Sequence, residues 1–120
     1  MFKRLVKISF FIIISSTSFA QATWSSDVAN ILYNKCTSCH HYGSIAPIEL
    51  MTYTDAFDND SSIVANITSH KMPPWPPDSL YQRYTHERVL TQSEIDTIVN
   101  CVNSGSPSGI LSSAPAPPVY

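Results

Sequence analysis

Apolar side chains recur at helical spacing at two well-separated places in the chain. In "WSSDVANILYNKC", Val28, Ile31 and Leu32 follow one another on one helical face with Lys35 in register, after Ser25 or Ser26 as N-cap and Asp27 in the first turn. In "LTQSEIDTIVNCVNSG", Ile95, Ile98, Val99 and Val102 form the stripe; Thr91 and Glu94 make a T-x-x-E capping box, and Gly105 is the natural stop. Between these helices the pattern breaks up. "HYGSIAPIELMTY" reads as loop, and "TDAFDND" and "SSIVANITSH" read as short helices started by Thr54 and by Ser61 or Ser62. The prolines of "KMPPWPPD" remove backbone donors and fix φ, which excludes helix and central strand and leaves a stiff extended loop. No Asn-Gly or Asp-Gly turn joins alternating apolar runs, so no hairpin is expected. The pattern predicts an all-α domain over residues 24–109, with a loose Pro-rich tail over 110–120.

The first residues follow a different rule. "MFKRLVK" is basic, "ISFFIIISS" is apolar, and "TSFAQA" offers small residues, the layout of a secretory signal peptide. Residues 1–20 are therefore expected to be removed, with cleavage after Ala22 as a second option. The apolar run is shorter than the roughly 20 residues a spanning helix needs, so no permanent membrane anchor is expected. Export to an oxidising compartment follows, the periplasm of a bacterium being the expected place. Seven Lys and Arg, less three in the leader, leave four against nine Asp and Glu, so the mature chain carries about −5. That balance argues against a nucleic-acid partner, which wants a basic face.

Export changes the reading of "NKCTSCHHYGSIAP", where Cys36, Cys39, His40 and His41 cluster. Three cysteines in the chain leave one over after any pairing. Zinc needs four ligands; His70, His86 and Cys101 offer no second closely spaced pair. A redox dithiol belongs at a helix N-terminus, whereas this C-x-x-C follows the end of a helix, where the dipole opposes a thiolate. Covalent haem satisfies each element of the pattern. Two thiols bond to the two vinyl groups, and the next residue, His40, lies under the iron. Haem also supplies apolar filling that some 85 residues with long loops lack. His41 has the wrong offset to ligate.

The second axial position separates electron carriers from gas binders and catalysts. Met51, His70, Met72 and His86 follow the motif. Met72 ranks first, because the prolines after it stiffen its backbone and let a weak thioether donor be held in place. His70 ranks second and would give bis-histidine ligation. Trp75 is placed to close the ring edge against water. Lys71, Arg83 and Arg88, with Tyr42, Tyr53, Tyr81 and Tyr84, are the pool from which propionate partners would come.

From Val28 to about Gly109 the chain resembles a family of small monohaem cytochrome c domains. The likeness rests on "CTSCH" (Cys36 to His40), "IAPIELMTY" (Ile45 to Tyr53), "MPPW" (Met72 to Trp75) and the closing "RVLTQSEIDTIVNCVNSGSPSG" (Arg88 to Gly109). The resemblance implies a class I-like cytochrome c fold in which the first and last helices cross, His40 is proximal and Met72 distal. Cys101 departs from it, standing where the family commonly has Trp. It is expected to be a buried small residue, a disulfide-linked dimer being the sharper alternative to a monomer.

The leading expectation is an exported, non-enzymatic single-electron carrier with one covalent haem c, held by Cys36 and Cys39 and ligated by His40 and Met72. Its partners would be a redox donor and a redox acceptor. Two alternatives stand beside it: a gas sensor or peroxidase-like enzyme with an open or displaceable distal site, and a haem subunit docked on a larger oxidoreductase.

Overall fold

The computed structural model describes residues 21–74, 78 and 80–120; the leader and Trp75 lie outside the described residues. Among the described residues there are helices and no strand, in agreement with the all-α expectation. A π-helical turn over Trp24–Val28 runs straight into α1, Ala29–Lys35. Two short helices follow, α2 over Tyr53–Asp58 and α3 over Asp60–Thr68, and α4 spans Gln92–Asn103. A 3-10 turn at Leu111–Ser113 comes after them. Among the described residues no helix is long and apolar enough to cross a membrane.

The caps decide where the helices start. Thr91 behaves as expected, its hydroxyl accepting from Glu94 N while the Glu94 carboxylate accepts from Thr91 N. The other starts fall earlier than the sequence suggests. Thr23, not Ser25 or Ser26, caps the first turn, accepting from Ser26 N while Asp27 accepts from Thr23 N. Thr52, not Thr54, starts α2 because the Asp55 carboxylate reaches back to its N–H at 2.8 Å. Asn59, not Ser61 or Ser62, stands at the head of α3. In each corrected helix the acidic residue of the first turn fits the positive end of the dipole.

The C-terminal ends of α3 and α4 follow the same geometry. Gly105, at φ 90°, lies just past α4; its N–H donates to Val102 O and Ser106 N–H to Cys101 O, a Schellman ending. Past α3 the equivalent left-handed position is His70, at φ 55°. His70 N–H donates to Ile67 O and Lys71 N–H to Asn66 O, so the chain turns sharply at residue 70.

The π-turn and the end of α4 pack together, and α3 lies along α4. Their apolar faces form the core: Trp24, Val28 and Leu32 from the first segment, Ile67 from α3, and Ile95, Ile98 and Cys101 from α4. Each fully buried aliphatic side chain there is worth about 1.5–3 kcal/mol relative to exposure. Trp24 packs edge-on against Tyr33 and Tyr53, with ring centroids at 6.3 and 5.8 Å. Backbone bonds from Trp24 N to Pro107 O and from Ser25 N to Ser108 O tie the first turn to the segment after α4.

The end of the chain is not loose. Ala114 packs on the core, and Tyr120 returns to residues 37–41. Its composition offers little to bury, but one aromatic ring with a hydroxyl is enough to dock it.

Candidate functional site

Helix α1 carries the cysteine motif at its C-terminal end. Cys36 N–H still donates to Leu32 O, and the turn continues through Cys39 N–H and His40 N–H, both donating to Cys36 O at 3.1 Å. The next residues are held from the far side, with Ala46 N–H on Cys39 O and Leu50 N–H on His40 O. Gly43, at φ 75°, makes the reversal between them.

Cys36, Cys39 and His40 open onto one cavity of about 730 Å³ with a largely apolar wall. Ligand sites of small molecules and cofactors run to roughly 300–1,000 Å³. Ile45, Ala46 and Pro47 continue the wall beside the motif, and Ile67, Met72 and Pro73 supply another part of it. The sequence-predicted group Cys36, Cys39, His40 and Met72 therefore shares a single cavity.

The His40 ring is oriented for ligation. Its Nδ1 lies 3.0 Å from Ile48 O, and because a carbonyl only accepts, Nδ1 carries the proton. Nε2 is then the ring nitrogen left to ligate. Metal-ligating histidines are usually fixed in this way through the other ring nitrogen.

Met72 owes its position to the turn at His70. Lys71 N–H and Met72 N–H both donate to Asn66 O, which fixes the backbone leading to the thioether. His70 occupies the left-handed turn position and does not line the cavity; Met51 does not line it either. His86 does line it, on the segment that also brings Tyr81, Tyr84 and Arg88 to the wall.

The sequence pool for propionate partners is thus narrowed. Arg88, Tyr81 and Tyr84 face the cavity, whereas Arg83 pairs with Glu87 and Tyr53 donates to Ser106 O. Tyr42 is exposed and away from the wall, as is Lys71. Sequence reasoning missed Lys35. Its Nζ donates to Val89 O at 3.0 Å and lies 4.0 Å from Glu94, so the residue before Cys36 bridges the motif to the start of α4. Its place one step before the motif was the available signal.

The thiols are unpaired, and burial, with the neighbouring Cys39 next in size, pushes Cys36 up to about 12. It is held as the neutral thiol, the opposite of what a redox dithiol requires. Among the described residues no three His, Cys, Asp or Glu side chains gather into a metal-holding group. A porphyrin asks for something different: two thiols, one oriented imidazole and an apolar chamber, and these residues fit it.

Cys101 is 3% exposed, within the core and beside a small void of about 20 Å³ between Trp24, Ala56 and Ile98. Burial raises its thiol pKa. An intermolecular disulfide would need this side chain brought to the surface, so the structure favours the buried small residue over the disulfide-linked dimer.

No protein-family model, curated protein or solved structure matches the chain.

Proposed function

We propose that this chain is an exported monohaem c-type cytochrome that carries single electrons. The observation that carries the reading is the convergence of Cys36, Cys39, His40 and Met72 on one largely apolar chamber. Cys36 and Cys39 would hold the ring as thioethers, and His40 Nε2 and the Met72 thioether would be the axial donors. Bound haem c supplies a one-electron ferric–ferrous couple, with the His/Met pair raising its potential. The chain's own part is to hold donors still. The Ile48 carbonyl fixes the His40 tautomer, and the turn on Asn66 O fixes the backbone of Met72. Residues such as Ile45 and Ile67 give the chamber its apolar wall. A class I-like arrangement, with the first and last helices packed together, is the fold proposed around it; that packing supports it.

The test is the mature protein itself. A pyridine haemochrome spectrum of c type, with intact mass equal to the chain less its leader plus one haem, is expected. Colourless protein with the mass of bare polypeptide overturns the proposal.

A second reading draws on His86 and Arg88. A peroxide- or gas-handling site wants acid–base groups beside an open iron, and these two side chains reach the same chamber. Rapid, full carbon monoxide binding by the reduced native protein at neutral pH would favour it. Slow or partial binding favours the carrier.

A further inference from the structure

The residues that interleave the haem-attachment motif point elsewhere than the residues that form it. Cys36, Cys39 and His40 line the chamber, whereas Thr37 and His41 do not. Thr37, between the two thiols in sequence, is nevertheless fully buried. What it meets is the far end of the chain.

The contacts there have a fixed direction. Thr37 Oγ1 donates its one proton to Tyr33 O at 2.9 Å. The Tyr120 hydroxyl, 2.9 Å from the same oxygen, must therefore be the donor, giving a relay from Tyr120 through Thr37 to the α1 backbone. The Tyr120 ring stacks on the His41 imidazole with centroids 4.2 Å apart and planes 10° from parallel. His41 Nδ1 in turn donates to Thr37 O at 2.7 Å. One side chain thus grips the residue three before His40 and the residue just after it.

The route to this grip is stiff. Pro115, Pro117 and Pro118 restrict the segment after Ala114, which lowers the entropy lost in bringing Tyr120 back. Val119 is 97% exposed, so Tyr120 alone makes the contact at this end.

We propose that Tyr120, itself 57% exposed, is a positioning residue for the attachment loop, and that by covering buried Thr37 and one face of the His41 ring it raises the reduction potential of the haem. The proposal rests on the haem reading above. The ferric centre carries one more positive charge than the ferrous one. A loop held fixed and with less water against it therefore favours the ferrous state, and admitting more water favours the ferric.

The test uses haem-loaded, full-length protein and midpoint potentiometry. Tyr120→Ala is expected to shift the potential downward while the absorption spectrum keeps the wild-type axial pair. Tyr120→Phe keeps the stack and loses the hydroxyl relay, and is expected to give a smaller downward shift. Val119→Ala is the control and should leave the potential at the wild-type value. A merely structural tail would lower the melting temperature without moving the potential. Potentials of Tyr120→Ala and Tyr120→Phe equal to that of Val119→Ala overturn the inference and leave the cytochrome reading standing. If Tyr120→Ala fails to accumulate, the Tyr120→Phe comparison decides alone. Haem-free wild-type protein sinks the parent reading instead.

Discussion

Ser106 donates a 2.7 Å hydrogen bond to Asp60 Oδ2 across 46 residues, joining the turn after α4 to the first turn of α3. This bond is the main reason the Asp60 carboxyl titrates below its usual 3.8, with partial burial working against it and Ser61 assisting. A lowered folded value stabilises the fold above the ordinary carboxylate range, and the contribution is lost as pH falls through that folded value. Ser106→Ala is expected to cost about 0.5–1 kcal/mol near neutrality, small because the carboxylate is partly exposed. Thermal melts as a function of pH check it. The gap between the two proteins should close as the solution is taken below the usual carboxylate range, and a constant gap would contradict the assignment.

His70→Gly separates a structural histidine from a ligand. The residue sits at φ 55°, a region that suits glycine, and lies outside the chamber wall. Relief of that conformation is expected to raise stability by about 0.5–1 kcal/mol. The visible spectrum of the loaded protein should not change. Loss of a low-spin spectrum in His70→Gly would restore bis-histidine ligation.

Met72→Ala is expected to leave the chain folded, since Met72 is 38% exposed and stands outside the core. The consequence should instead be an open axial position. Reduced Met72→Ala protein should bind carbon monoxide readily where the parent binds little, and the methionine–iron absorption should vanish. An unchanged spectrum would remove Met72 as the distal donor.

Gly109→Ala tests the clasp at the start of the fold. At φ 67° the residue lies against the first helical turn, and an added Cβ would press on Ser25 Oγ and come within 2.6 Å of Thr23 Oγ1. Both side chains belong to the capped turn, so neither yields freely. A loss of about 1–3 kcal/mol is expected, read by chemical denaturation. A parent-like midpoint would mean that the turn shifts aside at no cost.

The helical framework was legible wherever period and cap agreed. Val28, Ile31 and Leu32, and Ile95 and Ile98, face the core as their spacing predicts. Starts were harder, because several Ser and Thr compete and only the acidic partner three or four residues on decides among them; Asp55 selects Thr52, and Asp27 selects Thr23. The shared chamber of Cys36, Cys39, His40 and Met72 was also anticipated. For the wall from Tyr81 to Arg88 the sequence offered only separate candidates, Tyr81, Tyr84, His86 and Arg88 within a larger pool, since the segment has no periodic pattern and reaches the site by tertiary folding alone. His70 also has a role that the sequence does not display. Sequence displays its imidazole, but only the backbone reveals that its φ serves a helix ending.

Gln21 Nε2 donates to Ser104 O across 83 residues, next to the bonds that join Trp24 to Pro107. Contacts of such reach form against a loop-closure entropy that grows slowly with length, so the kinetic cost of the fold is concentrated there. The individual helices and the motif turn need only neighbours along the chain and can form first. A nascent polypeptide stopped before Pro107 has the whole ligand set and the Ser104 partner of Gln21, but neither of the backbone bonds that clasp Trp24 and Ser25. The order of synthesis thus places the donors in the chain before the clasp between Trp24 and Pro107 can close.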